Sequence, residues 1–186
     1  MKRKKGNNFH KENKFIINLT IRYLIILLLG LGNIFLFYFI FTPLTIYPSY
    51  LIIKLIYSNA VLEGSNILIS NYTLEIVEAC VAGAAYYLLF ILNFTTDINI
   101  WKRLRLLLYS STILLSFNIL RIVLLSVLFV NNNSFFDITH KFFWYFFSVL
   151  FVVIVWFSGV YFFKIRNIPI YSDIKDMIKI IKKSKK

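Results

Sequence analysis

Three side chains able to do chemistry lie in or beside apolar stretches of this chain: Cys80, Arg121 and His140. A thiol attacks as its thiolate, which a nearby cation stabilises. An imidazole moves a proton near neutral pH, and a guanidinium can hold the oxyanion formed when a carbonyl is attacked. Together they are the minimum apparatus for acyl transfer through a thioester. Each also has an ordinary explanation. A free cysteine in an apolar helix packs as a small hydrophobe, a histidine beside Lys141 suits a membrane interface, and an arginine in a span ties helices together or snorkels to lipid phosphate. Asn118, three residues before Arg121, shares its helical face and is placed to hold the guanidinium. Glu78 opposes a thiolate at Cys80 unless it pairs with Arg121 or orients His140. Asp137 is a further candidate to orient the imidazole. Asn118, Glu78 and Asp137 are therefore the candidate supporting groups.

The elements that must position these residues follow from composition. The chain is 59% hydrophobic and 16% charged, with a mean hydropathy of +0.73, too apolar for a soluble domain of this length. A hydrocarbon core takes roughly 20 apolar residues of helix, and such runs fall at about 21–41, 78–95, 106–130 and 142–163. The expected fold is an all-α integral membrane bundle of about four transmembrane helices. Residues 21–163 form its single domain, between a basic tail at 1–20 and another at 164–186. The first run follows basic residues as a signal peptide would, but it is long and lacks a small-residue cleavage site, so it is expected to stay as an anchor. The formal charge of +13 does not point to nucleic acid, because the basic residues sit in blocks beside apolar runs. One cysteine excludes an internal disulfide, and there is no Cys/His cluster with metal-ligand spacing; neither a metal nor a cofactor is expected.

Orientation follows from the cations. Seven Lys and Arg lie at or before Arg22, three at Lys102, Arg103 and Arg105, and eight from Lys164 onward. The positive-inside rule makes their shared side cytoplasmic, giving a multi-pass, N-in and C-in protein of the cell membrane. Cys80, Arg121 and His140 then all fall toward the outer face. Arg121 lies nine residues before Val130, roughly 14 Å below the helix end, and snorkelling lifts its head toward the depth of Cys80. Between the first two spans, residues 49–58 look like an interfacial helix. Ile67, Ile69, Tyr72, Leu74 and Ile76 then alternate around Ser70 and Asn71, predicting a short extracytoplasmic β-hairpin before the second span. Gly83, Ala84 and Ala85 make a small-residue patch that admits a close helix. Residues 172–186 read as a basic amphipathic helix or a disordered tail against anionic headgroups.

The residues Glu78-Ala79-Cys80 opening a span, Asn118-Ile119-Leu120-Arg121-Ile122 inside the next, and His140 opening the one after resemble the exosortase/archaeosortase family over about residues 61–163. The short length and the run Glu78-Ala79-Cys80-Val81-Ala82-Gly83 look most like the archaeal pacearchaeosortases. The resemblance implies a membrane cysteine transpeptidase. Its partners would be surface proteins ending in a motif, a transmembrane helix and a basic cluster, with a lipid or other amine as acceptor. It implies Cys80 as nucleophile, His140 as general acid/base, and Arg121 as stabiliser of thiolate or oxyanion. The family often carries Ser or Thr and then Gly directly after the cysteine, whereas here Val81 and Ala82 follow. Two other functions fit the residues: a transport or assembly subunit using Arg121 to bind an anionic partner, and a membrane cysteine protease that only hydrolyses.

Overall fold

The computed structural model describes residues 2–31, 34–143, 146, 148–165, 171, 173–175 and 177–178, without the side chains of 2–15 and 148. The elements in chain order are α1 (Lys2–Leu31), α2 (Phe35–Ile56), β1 (Val61–Glu63), β2 (Asn66–Ile69), β3 (Tyr72–Glu75), α3 (Glu78–Val81), α4 (Gly83–Thr95), α5 (Ile100–Val130), α6 (Phe136–Phe142) and α7 (Ser148–Phe162). Of these, α2 and α5 are long and apolar enough to cross a membrane. Ile16–Leu31, Gly83–Thr95 and Val149–Phe162 are shorter apolar helices.

The buried residues of α5 show how the bundle is built. Leu106, Ser110, Leu114, Asn118, Ile122 and Ser126 recur every four residues and form one inward stripe, while Leu108, Leu120 and Leu124 face outward. The inward face is thus partly polar and the outer face apolar, as a hydrocarbon solvent requires. Ser110 and Ser126 donate to the carbonyls one turn back, at Leu106 and Ile122, so neither hydroxyl is left unpaired. Against this stripe pack Phe37 of α2, Tyr86 and Leu89 of α4, and Val152, Val155 and Trp156 of α7. The rings of Phe41 and Tyr86 stack with centroids 3.5 Å apart.

A second core lies beyond one end of this bundle. There Ile53 of α2 and Ile122 of α5 pack against Ile67, Ile69 and Ile76. The three strands form an antiparallel sheet in the order β1-β2-β3, so the expected hairpin is the β2–β3 half of a larger sheet. β1 has three residues, too few for a period of two to show in the sequence. Both turns have two residues, and the positive φ of Gly64 (62°) and Ser70 (51°) fits the turn geometry that matches strand twist.

The helices depart from the expected spans in ways hydropathy cannot report. The run at 21–41 is divided between α1 and α2, with Ile34 in the left-handed region at φ 61°; Gly30 and Gly32, poor helix formers, lie in that run. Residues 49–56 are the last turns of α2 and not a separate interfacial helix. The second run breaks at Ala82, and the third begins at Ile100, before the basic residues that suggested a later start. The fourth falls partly on residues 144, 145 and 147, outside the described residues. At the end of the bundle opposite the sheet, Arg22 donates to the Phe94 carbonyl and pairs with buried Asp173 at 2.8 Å. The tail at 172–186 therefore has one carboxylate docked on α1; residues 172, 176 and 179–186 lie outside the described residues.

The break in the second run sets two neighbouring residues against each other. Ala82 sits at φ 61° and ψ 36°, a conformation that costs a residue with a Cβ about 1–2 kcal/mol. A Cβ on Gly83 would stand 2.6 Å from the Tyr38 ring, so the small-residue patch admits α2 of the same chain. Thermal unfolding in detergent should show Ala82→Gly stabilising by about 1 kcal/mol. Gly83→Ala should destabilise by about 1–3 kcal/mol, with Tyr38→Leu restoring part of the loss. If Ala82→Gly loses stability as a mid-helix glycine does, the left-handed break is wrong.

Candidate active site

The site is built where the sheet hands the chain to the bundle. Ile76 donates its N–H to the Ser65 carbonyl, Val77 is extended, and the Cys80 N–H donates to the Val77 carbonyl at 2.8 Å to close the single turn of α3. That turn ends at left-handed Ala82, so the carbonyls of Ala79, Cys80 and Val81 lie at a helix end, where groups lack intrahelical partners. Asn118 and Arg121 of α5 supply them. Asn118 Nδ2 donates to the carbonyls of Cys80 at 2.8 Å and Val81 at 3.3 Å. An Arg121 Nη donates to those of Cys80 at 3.3 Å and Ala79 at 3.5 Å. Asn118 thus works beside Arg121 on the same segment, where the expectation had it holding the guanidinium.

His140 arrives from the other end of α5. After the turn at 131–134, α6 lies on α5 through Phe129 and Phe136, whose ring centroids are 5.2 Å apart. One turn later the His140 ring stacks on Phe136 at 5.5 Å. Cys80, Arg121 and His140 all line one cavity of about 270 Å³, walled by β3 on one side and by α5 and α6 on the other. The three residues singled out by type are brought together.

The other candidates are placed differently. Glu78 is exposed and lines a neighbouring cavity with Tyr38 and Thr42, across the shared wall of residues 75–77. Its charge acts on Tyr38. Asp137 is exposed on α6 and lies outside the lining of the Cys80 cavity. One wall residue of the cavity, Phe136, and one core residue beside it in the bundle, Tyr86, were not singled out from the sequence. Phe136 was detectable from its i, i+4 spacing to His140, whereas nothing in the sequence distinguishes buried Tyr86 from other core aromatics. Among the described residues there is no group of His, Cys, Asp and Glu that could hold a metal ion.

A thiol, an imidazole and a guanidinium lining one cavity are the groups that nucleophilic acyl transfer uses. The family model described as transmembrane exosortase matches residues 16–157, which include all three. Comparison with curated proteins and with solved structures gave no match. The match covers most of the chain and spans both the bundle and the cavity, and the chain belongs to the transmembrane exosortase family.

Proposed function

We propose that this protein is a membrane cysteine transpeptidase of the short, pacearchaeosortase type, cleaving the C-terminal sorting signal of surface proteins and passing the new C-terminus to a lipid or other amine. The observation that carries this reading is the single cavity lined by Cys80, Arg121 and His140. His140 takes the thiol proton as Sγ attacks the scissile carbonyl carbon. The oxyanion of the tetrahedral intermediate is held by the charge of Arg121. The C–N bond then breaks, and the imidazolium returns its proton to the leaving amine. The resulting thioester is attacked by the acceptor amine, whose proton goes to His140 before the C–S bond breaks and the thiol is restored.

Arg121 serves twice in this scheme, because it also anchors the carbonyls of Ala79 and Cys80. The sheet and the cavity sit at the end of the bundle opposite Arg22 and Arg103, which donate to the carbonyls of Phe94 and Thr96 at the far end of α4. With that basic end in the cytoplasm the cavity opens outward, on the side where surface proteins are anchored.

Replacing Cys80 with Ser should abolish processing of co-expressed surface proteins while the variant stays in the membrane; full processing would eliminate the mechanism. Arg121→Ala and His140→Ala should each slow processing by about 10²–10³. Loss of function with Arg121→Ala but not with Cys80→Ser would identify a binding subunit instead. Mass analysis of the released C-terminus separates the two enzymatic outcomes, since an adduct in amide linkage means transfer and a free carboxylate means hydrolysis.

A further inference from the structure

The strand that walls the cavity is an edge strand, because β3 has β2 on one side only. Its register tells which backbone groups remain outside the sheet. Ile76 donates to Ser65, and the pairs Ile67↔Leu74 and Ile69↔Tyr72 continue that alternation. Antiparallel pairing uses the N–H and C=O of every second residue, so those of Leu74 and Tyr72 point to β2 while those of Thr73 and Glu75 point away from it. Among the described residues no backbone hydrogen bond reaches Thr73 or Glu75 on that outer side. Both line the cavity that holds Cys80 and His140. An open edge of this kind is a template for one more strand.

Charge narrows the occupant. Between Lys54 and Lys102 the chain has no Lys or Arg, and the sheet and its exit carry Glu63, Glu75 and Glu78; the cation of the cavity, Arg121, stands on α5, not on the strand edge, and is engaged with the carbonyls of Ala79 and Cys80. An acidic segment is repelled there, and a neutral or basic one is not. The facing wall of Leu125, Phe129 and Phe136 is apolar and suits every second side chain of an extended peptide.

We infer that the outer edge of β3 binds the substrate's extended, non-acidic segment as a fourth strand, through the backbone of Thr73 and Glu75, and so delivers the scissile carbonyl to Cys80. This rests on the transpeptidase reading and adds to it how the substrate is held. Recognition then depends on the backbone of the segment as much as on its side chains.

The test uses the detergent-solubilised full chain and measures alkylation of Cys80, in which the thiolate displaces chloride. The probes are a pool of acetylated hexapeptidyl chloromethyl ketones built from neutral and basic residues, and chloroacetamide as the small reagent. The ratio of peptidyl to chloroacetamide labelling should fall about tenfold in Thr73→Pro, which removes an edge N–H and obstructs pairing. It should be unchanged in Thr73→Ala. On the wild-type protein, N-methylating one alternate set of probe amides should remove the peptidyl advantage, and N-methylating the other set should not; this arm does not depend on the proline variant folding. An unchanged ratio in a folded Thr73→Pro protein, or equal effects of the two N-methylated sets, would overturn the inference. The Cys80→Ser processing experiment decides the transpeptidase reading separately, so lost processing there without a peptidyl advantage here refutes the edge alone.

Discussion

The arrangement depends on an uncommon use of two side chains: Asn118 and Arg121 complete the backbone of another helix. A helix that stops leaves carbonyls without intrahelical partners, and each costs free energy wherever it is buried unpaired. The interruption at Ala82 creates this problem at Ala79, Cys80 and Val81, and the polar stripe of α5 solves it. The donors that make the break tolerable also hold the Cys80 segment against α5. Fold and site are therefore one construction, because the position of Cys80 is a by-product of satisfying its own backbone.

The break needs room as well as partners. Gly83 follows it directly and lets the Tyr38 ring lie against the backbone of α4. This brings α2 close enough for Phe41 to stack on Tyr86, and carries the last turns of α2 beneath the sheet. The sheet in turn forms the second wall of the cavity. The chain thus passes from helix to sheet and back to helix around one point, with Cys80 at the return.

What could be read from residues alone was chemical identity and strand alternation. The cost of a guanidinium within an apolar run marked Arg121, and alternation at Ile67, Ile69, Tyr72, Leu74 and Ile76 gave two strands. Hydropathy is silent on backbone continuity, so the interruptions at Ile34 and Ala82 were hidden within apolar runs. The same limit hid the purpose of Asn118, whose spacing to Arg121 is visible while its acceptors lie 37 and 38 residues away. The placing of Glu78 was hidden for a related reason. It stands two residues before Cys80, yet the two line different cavities from the same helical turn.

The clasp between Arg22 and Asp173 joins positions 151 residues apart. A chain made from its N-terminus can offer Arg22 the Phe94 carbonyl well before the carboxylate exists. Closure at that end of the bundle therefore follows the synthesis of α7. Until Asp173 is made, Arg22 has a carbonyl but no carboxylate to meet its charge, so the bundle gains its far-end ion pair only once the chain has grown past α7.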